Sequence, residues 1–201
     1  MAHYYTDNTE LSHAPRIVRF RYGGKEIAFH SDAGVFSRDN VDYGTRVLLE
    51  TMHEITGVER LLDVGCGYGV IGISQKLMHP TWKVDMVDVN SRALDLAKQT
   101  IADYGLEDID AFISDCYAQV KGEYDLILSN PPIRAGKKVV HAILEGAFGH
   151  LVPHGRLRIV IQKKQGAPSA KAKMEAVFGN CTILKRDKGY YILESVKIAD
   201  E

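Results

Sequence analysis

Three glycines within five residues interrupt the chain between a short apolar run and a helix. The run Arg60–Val64 (RLLDV) has the length and composition of a buried strand, and GCGYG (65–69) follows it directly. An apolar segment to about Met78 then has helical spacing. Glycine is favoured where the backbone turns sharply and where a ligand approaches it closely, and the first amides of a helix attract anionic or carbonyl-type oxygens. We therefore predict a strand, a ligand-binding turn and a helix.

Strand-like and helical patterns alternate through the rest of the chain. This alternation predicts βαβ crossovers and a Rossmann-like α/β fold, with a mostly parallel, doubly wound sheet that binds its ligand at the carboxyl ends of the strands. Turns at Gly23-Gly24 and Lys188-Gly189 predict an N-terminal β-hairpin and a C-terminal antiparallel hairpin. The further predicted strands are 83–89, 109–114, 124–129 and 155–162, and the further helices are 42–55, 91–104, 137–150 and 167–178.

The length of 201 residues fits one compact domain with an N-terminal extension. We predict a tail and β-hairpin extension at 1–35, with residues 1–12 a loose tail, and the main domain at 36–201. No apolar run approaches the ~18–20 residues of a membrane helix, and the N-terminus lacks the layout of a secretory signal. The three cysteines are widely spaced, and neither disulfides nor a zinc site is expected. These features predict a cytoplasmic protein without a metal or a membrane partner.

Charge is divided unevenly along the chain. Residues 1–130 contain 12 Lys or Arg and 20 Asp or Glu, a balance of −8, whereas residues 131–201 contain 13 and 6, a balance of +7. Such asymmetry indicates a polyanionic partner on one face. Charges that mix on the folded surface are the alternative.

An acidic residue at the end of the second parallel strand favours a nucleoside ligand. Asp88 lies 21 residues beyond Gly67, where a carboxylate can accept hydrogen bonds from both ribose hydroxyls. The sequence GYGVIG (67–72) matches the NAD fingerprint GxGxxG, but it begins two residues late. The pattern that begins at the strand end has Val70 in place of the third glycine, which close packing of the helix against the strand requires. Asp63 before the turn would crowd a pyrophosphate and suit an ammonium group. We therefore favour S-adenosylmethionine over NAD, with a ligand-free turn as a further alternative.

Asp115 follows the third parallel strand and so belongs to the same edge of the predicted sheet. It is a candidate acceptor for the amino group of adenine. A helix-capping aspartate is the alternative for an isolated residue of this kind. The glycine turn and Asp88 together favour the adenine interpretation.

The sequence Ser-Asn-Pro-Pro (129–132) ends the fourth parallel strand. Two prolines cannot extend a central strand, and they form a rigid turn without amide donors. The Asn130 amide oxygen and the Pro131 carbonyl could accept both N–H groups of a planar exocyclic amine, which would position its lone pair for methyl transfer. No strong base is required, because the nitrogen becomes acidic only after it is methylated. A plain Asn-Pro turn is the alternative.

Three motifs together resemble class I S-adenosylmethionine-dependent methyltransferases that modify amino groups. They are DVGCGYG (63–69), the acid in VDVN (87–90) and LILSNPPI (126–133). With GVFSRDNVDYGTRVLLE (34–50) in front, the chain is similar to the small-methyltransferase domain of the ribosomal small-subunit RNA guanine-N2 methyltransferase family. The resemblance runs from about Gly34 to the end of the chain.

The resemblance implies S-adenosylmethionine as cofactor, ribosomal RNA as substrate, and a role for each matching position. The implied cofactor-binding residues are Asp63, Gly65, Cys66 and Gly67 for the methionine part, Asp88, Val89 and Asn90 for the ribose and adenine, Asp115 and Cys116 for the other adenine edge, and Asn130 beside the target. The implied catalytic residues are Asn130, Pro131 and Pro132. The implied substrate residues are Phe36, Asp42, Thr45, Ile133 and Lys137.

Two departures from the family pattern bear on the substrate. Many relatives have an aromatic residue after the two prolines, which can stack on a flipped base, whereas this chain has Ile133. Bacterial relatives often carry a second, degenerate copy of the domain in front. This chain has only about 35 residues in front of the domain. We therefore expect the contacts that hold the substrate to come from this domain itself, as a monomer, or from a homodimer.

Guanine N2 in RNA is the favoured target, and adenine N6 in nucleic acid or the side-chain amide of a protein glutamine are alternatives with the same chemistry. An NAD-dependent oxidoreductase and a non-catalytic nucleoside-binding module are less favoured. Basic side chains after the proline turn are candidates for phosphate contacts, which give salt-sensitive affinity without sequence choice. These candidates are Arg134, Lys137, Lys138, Arg156, Arg158, Lys163, Lys164, Lys171 and Lys173.

Overall fold

The computed structural model describes residues 12–199, which form nine β-strands and five α-helices. The strands are β1 (Arg16–Tyr22), β2 (Lys25–Ser31), β3 (Arg60–Val64), β4 (Lys83–Asp88), β5 (Ile109–Ile113), β6 (Tyr124–Ser129), β7 (Leu151–Gln162), β8 (Thr182–Asp187) and β9 (Tyr190–Val196). The helices are α1 (Tyr43–Glu50), α2 (Val70–Met78), α3 (Ser91–Asp103), α4 (Lys137–Gly149) and α5 (Ala167–Phe178).

Seven strands form one sheet in the order β5-β4-β3-β6-β7-β9-β8. The five strands from β5 to β7 are parallel to their neighbours, and β9 and β8 extend the sheet as an antiparallel hairpin. The strand order reverses between β3 and β6, which opens a crevice at the carboxyl ends of these strands. The predicted Rossmann-like α/β fold, with its N-terminal and C-terminal hairpins, is confirmed.

Two apolar layers cover the two faces of the sheet. On one face, α1, α2, α3 and the inner side of the β1–β2 hairpin enclose a core that includes Phe29 and Leu48. On the other face, α4 and α5 enclose a core that includes Leu144 and Met174. Because both faces are covered, the parallel strands are apolar along most of their length.

Two predicted boundaries differ from the structure for local reasons. Strand β7 begins at Leu151 rather than at the start of the predicted run 155–162, because Leu151 pairs with Tyr124 ahead of an irregularity in the register with β6. Helix α1 ends earlier than predicted. There the Thr51 hydroxyl donates a hydrogen bond to the Leu48 carbonyl at 2.7 Å, in competition with the amides that would continue the helix.

The N-terminal hairpin packs along α3 and buries one face in the first core, with Phe20 and Ile27 among its buried side chains. The division into an extension at 1–35 and a domain at 36–201 stays a prediction. Most of the predicted loose tail at 1–12 lies outside the described residues. None of the helices in the described range combines the length and the apolar character needed to cross a bilayer.

A buried carboxyl group fastens α2 to the sheet. The Oδ2 atom of Asp63 in β3 accepts a hydrogen bond from the backbone amide of Gly72 at 3.0 Å. A Cβ atom on Gly72 would lie 2.4 Å from the sulfur of Met86 in β4, so the close approach of helix and strand requires glycine here. The fingerprint that begins at Gly65 places the glycine for close helix–strand packing at position 70, where this chain has valine. Burial, with a smaller contribution from the Asp88 charge, raises the pKa of Asp63 to about 7.

We predict that Asp63 makes the protein less stable as the pH rises from about 4 to about 7. A carboxyl group with a pKa of about 3.9 in the unfolded chain loses its proton there first, so the unfolded state binds fewer protons in this window. The free energy of unfolding therefore falls with rising pH, by up to about 4 kcal/mol. Asp63→Asn keeps an acceptor for the Gly72 amide and removes the titration. Denaturant unfolding of this variant across the window should give a flatter profile.

The control for this measurement is Asp95→Asn, a change at an exposed position on α3. Its stability profile should follow that of the wild type. An Asp63→Asn profile as steep as the wild-type profile would contradict the raised pKa.

Candidate active site

A cavity of about 1150 Å³, including its open mouth, lies at the carboxyl ends of β3, β4, β5 and β6. It occupies the crevice where the strand order reverses. Most of the residues predicted from the sequence meet in its lining. They are Phe36, Asp42, Thr45, Gly65, Cys66, Gly67, Asp88, Val89, Asp115, Cys116, Asn130, Pro131 and Pro132.

The turn between β3 and α2 forms the floor of the cavity. Gly65, Gly67 and Gly69 have positive φ angles of 72°, 55° and 92°, which L-residues with side chains rarely adopt. A Cβ atom on Gly65 would lie 3.8 Å from Cδ of Pro132, so the glycine turn and the proline turn are direct neighbours. The backbone conformation therefore explains why glycine occurs at alternate positions.

Asp88 joins the end of β4 to the glycine turn. Its Oδ2 atom accepts a hydrogen bond from the Gly67 amide at 2.8 Å, and its Oδ1 atom accepts one from the Asn90 amide at 2.9 Å. Burial raises the pKa of Asp88, and the backbone hydrogen bonds oppose the shift. Each carboxylate oxygen can accept a second hydrogen bond. The side chain can therefore hold the turn and still receive a ligand hydroxyl.

The wall near the end of β5 combines apolar and polar groups. Val89, Ser114, Asp115 and Cys116 contribute to it, and Asp115 is exposed. Burial raises the pKa of Cys116 to about 11 and holds the pKa of Cys66 well above its ordinary value, so both thiols are neutral at physiological pH. Neutral thiols and aliphatic carbons with one carboxylate beside them can accommodate a flat heterocycle that carries an amino group.

The amide of Asn130 is held by two residues of the α1 amino terminus. Its Nδ2 atom donates to Oδ2 of Asp42 at 2.9 Å and to Oγ1 of Thr45 at 3.0 Å. Because a carboxylate can only accept, the contact with Asp42 determines which end of the amide faces α1. Among the described residues, no group donates a hydrogen bond to Oδ1 of Asn130. This oxygen is therefore available as an acceptor beside Pro131.

Asp42 has a second function as the N-cap of α1. The carboxylate oxygen that binds Asn130 also accepts the backbone amide of Thr45 at 3.1 Å. The family resemblance implied Asp42 and Thr45 as substrate residues, and their contact with Asn130 was not predicted. The available signal was their spacing of three residues, which is typical of an N-cap and the third residue of a helix.

Residues 32–41, between β2 and α1, cover the cavity, and we call this segment the roof. Its backbone is held by side chains from the floor and from α3. The Tyr68 hydroxyl donates to the Ser37 carbonyl at 3.0 Å, and Asn90 Nδ2 donates to the Gly34 carbonyl at 3.1 Å. The role of Tyr68 was not predicted, because nothing local in the sequence connects it to a segment 31 residues away.

Four predicted site residues lie outside the cavity lining. Asp63 is buried behind the glycine turn rather than at its mouth. Asn90 is buried and caps α3 through a hydrogen bond from the Ala93 amide to its side chain. Ile133 packs partly buried against the core beneath α4, and Lys137 is exposed at the first residue of α4.

Comparison with known proteins identifies relatives of this arrangement. The model of the methyltransferase small domain family matches residues 26–194. The protein YbxB of Bacillus subtilis (strain 168), described as uncharacterized, is 42% identical over 198 residues and is covered to 98%, as is this chain. Ribosomal RNA small subunit methyltransferase C of Mannheimia succiniciproducens is 41% identical over 140 residues, which are 67% of this chain and 41% of that protein.

A solved structure agrees with both the fold and the family. It is the 16S rRNA N2 G1207 methyltransferase (RsmC) of T. thermophilus in complex with AdoMet and guanosine, with a TM-score of 0.82 and 26% identity. The match covers 91% of this chain and 50% of that one, so the chain spans about half the length of RsmC. From the family match over most of the sequence, we conclude that the chain belongs to the methyltransferase small domain family and is an S-adenosylmethionine-dependent methyltransferase.

Proposed function

We propose that the chain transfers a methyl group to the exocyclic amino group of a base in RNA, with N2 of guanine in ribosomal RNA as the target. The observation that carries this proposal is the oriented amide of Asn130 beside the glycine turn. The relatives named ribosomal RNA small subunit methyltransferase C and the guanosine complex of RsmC support the choice of substrate. We expect the reaction to take place in the cytoplasm.

The charge of the cavity fits S-adenosylmethionine, which when bound supplies an electrophilic methyl group on a positively charged sulfur. Within the described residues, the lining contains the carboxylates of Asp42, Asp88 and Asp115 but no Lys or Arg. This balance favours a cationic ligand and disfavours the pyrophosphate of NAD. The Oδ1 atom of Asp63, behind the glycine turn, is buried without a described hydrogen-bond partner, which fits a bridging water at that position.

The division of the cavity follows from its walls. We propose that Asp88 receives the ribose hydroxyls and that Asp115 receives the adenine amino group, with Val89 and Cys116 against the ring. The open turn at Gly65–Gly67 then borders the methionine part, since no side chain blocks the backbone there. Asn90 contributes indirectly, because its amide binds Asp88 and its side chain caps α3.

The proline turn would hold the nucleophile. Oδ1 of Asn130 and the Pro131 carbonyl accept the two N–H groups of the target amine, which orients its lone pair toward the methyl group. Pro132 keeps the turn rigid and donates no hydrogen bond. As the nitrogen gains a methyl group it becomes positively charged, and the two acceptors stabilise that charge before the surplus proton leaves to water.

Asp42 strengthens this effect through Asn130. A hydrogen bond from the amide nitrogen to a carboxylate draws electron density toward the amide oxygen, because linked hydrogen bonds polarise one another. Asp42 also contacts Asn130 directly, so only this one side chain separates its negative charge from the amine nitrogen, where positive charge develops. We therefore propose that Asp42 and Thr45 are positioning residues for Asn130.

An aromatic contact for the base is still required, because Ile133 packs against the core. The described part of the lining includes two aromatic residues, Phe36 and Tyr68. Tyr68 is buried and its hydroxyl binds the roof, whereas Phe36 is 38% exposed. We propose that Phe36 supplies the apolar contact, while Lys137 lies outside the lining and acts on the RNA beyond the target base.

The alternatives with the same amine chemistry are adenine N6 in nucleic acid and the side-chain amide of a protein glutamine. Incubation of unmethylated ribosomal subunits with labelled S-adenosylmethionine, followed by nucleoside analysis, distinguishes them. The expected product is N2-methylguanosine. Label in N6-methyladenosine or in protein would overturn the proposed substrate.

We predict that Asn130→Ala lowers kcat about 100- to 1000-fold, because it removes an acceptor that acts mainly in the transition state. The affinity for S-adenosylmethionine should stay at the wild-type value, measured by calorimetry. Asn180→Ala, remote from the cavity, serves as a comparison for loss of an asparagine. We call Asn130 and Pro131 together the amine clamp. Wild-type turnover in Asn130→Ala would show that the mechanism does not need the acceptor that Asn130 contributes to it.

We predict that Thr45→Val lowers kcat about 5- to 20-fold, since the variant keeps the shape of the side chain but loses one hydrogen bond to Asn130. Thr45→Ser restores the hydroxyl and should recover most of the activity. Cofactor affinity and melting temperature should change little in either variant. Equal losses of kcat in the serine and valine variants would refute the positioning role.

We predict that Asp88→Ala weakens S-adenosylmethionine binding at least tenfold, because the ribose acceptor is lost. Wild-type protein should gain thermal stability with S-adenosylmethionine and none with NAD. Asp88→Asn removes the charge and keeps one acceptor oxygen, which can serve either the Gly67 or the Asn90 amide but not both, so its comparison with Asp88→Ala separates loss of the charge from loss of the whole side chain. Stabilisation of Asp88→Asn equal to that of the wild type would contradict a role for the carboxylate charge.

A further inference from the structure

The basic half of the chain contains very few carboxylates, and those few are engaged. Between residues 131 and 189 the acidic residues are Glu145, Glu175 and Asp187. Glu145 and Glu175 form ion pairs with lysines of α5, and Asp187 accepts a hydrogen bond from the Tyr43 hydroxyl at 2.9 Å. Apart from Asp187, which directly precedes Lys188, the rest of this range has no unpaired carboxylate that could neutralise its positive charge.

The topology collects this positive charge at one edge of the sheet. Strands β6 and β7 are parallel, so the segments that follow them start at the same edge, which is also the edge of the cavity. Strand β9 runs antiparallel to β7 with Gln162 opposite Tyr190, which brings the β8–β9 turn to that edge as well. We call the exposed basic residues of these three segments the basic rim: Arg134, Lys137, Lys138, Lys163, Lys164 and Lys188.

Direct contacts link two of the three rim segments to each other and to the residue that follows Asp42. The backbone amide of Lys163 donates to the Gly189 carbonyl at 2.8 Å, which joins the segment after β7 to the β8–β9 turn. The ammonium group of Lys188 lies 4.9 Å from the ring centre of Tyr43. Tyr43 follows Asp42, whose carboxylate holds Asn130. The rim thus begins beside the residues that orient the catalytic amide.

The opposite flank of the same edge has the opposite charge. The segments after β4 and β5 present Asp88 and Asp115, and the arginine at the start of α3, Arg92, is buried beside Asp32. A polyanion is therefore repelled on the side of the proposed adenine site and attracted on the side of the proline turn.

We propose that the basic rim binds the phosphate backbone of the RNA whose base enters the cavity, so that the strand crosses the edge over β6, β7 and β9. This inference rests on the proposed RNA substrate. None of the six rim residues forms an ion pair with a carboxylate among the described residues. The structure also separates them from other basic candidates, because Arg158 is buried against Glu194, and Lys171 and Lys173 are paired on α5.

The test compares two double variants of the full chain. Lys163→Gln with Lys164→Gln removes two exposed charges from the rim. Lys83→Gln with Lys121→Gln removes two exposed charges from the amino ends of β4 and β6, at the opposite edge of the sheet. Binding to an unmodified small-subunit ribosomal RNA transcript is measured by anisotropy between 50 and 200 mM salt. Turnover and S-adenosylmethionine affinity are measured in parallel.

The rim variant should bind RNA roughly 10- to 50-fold more weakly at about 100 mM salt, and the slope of log K against log salt should fall by about 1.5, as expected for two lost phosphate contacts. Its KM for RNA should rise while kcat and cofactor affinity stay unchanged. The control variant should match the wild type.

Equal losses of affinity in the two variants, or an unchanged salt slope in the rim variant, would refute the rim while leaving RNA methylation intact. A wild-type protein that neither binds nor methylates RNA would overturn the proposed function together with the rim. Methyl transfer to a protein substrate would have the same effect.

Discussion

The paired hydrogen bonds from the Asn130 amide to Asp42 and Thr45 are the interaction on which the rest of the site depends. They connect the end of β6 to the beginning of α1 across separations of 88 and 85 residues in the chain. Parallel pairing of β3 with β6 places the proline turn beside the glycine turn. Because the amide cannot rotate without breaking both bonds, its oxygen is fixed in direction before any ligand enters. Such preorganisation is the main way an enzyme without a strong base can accelerate methyl transfer.

The sequence predicted the fold well because its information is local. Apolar runs, glycine turns and helical spacing determine each element, and parallel strands leave few alternatives for their connection. The acids and the proline turn could be assigned to one edge because each directly follows a strand. Three features could not be predicted in this way: the burial of Asp63, the contact of Asp42 with Asn130, and the contact of Tyr68 with the roof. Each depends on side-chain direction across long sequence separations, which composition and spacing do not determine.

Two of the four departures from expectation at the site share a physical cause, which is that backbone amides compete with the ligand for polar side chains. Asp63 was expected at the mouth of the cavity, but the Gly72 amide binds it on the inner side of the turn. Asn90 was expected beside the adenine, but the free amides at the start of α3 bind its side chain. At these two positions the backbone amide draws the side chain away from the cavity, whereas Asp88 binds two amides and still lines it.

The hydrogen bond between Tyr68 and Ser37 has a kinetic consequence. Tyr68 belongs to the floor and Ser37 to the roof, so the two surfaces that enclose the cavity are joined by one buried hydroxyl. The roof is also attached to α3 and continues from the hairpin. Lifting the roof therefore requires these hydrogen bonds to the floor and to α3 to break together, and release of the demethylated cofactor would depend on that opening. Motions of this kind are slow compared with loop fluctuations. Release of the demethylated cofactor is therefore a step that can limit the rate of each catalytic cycle.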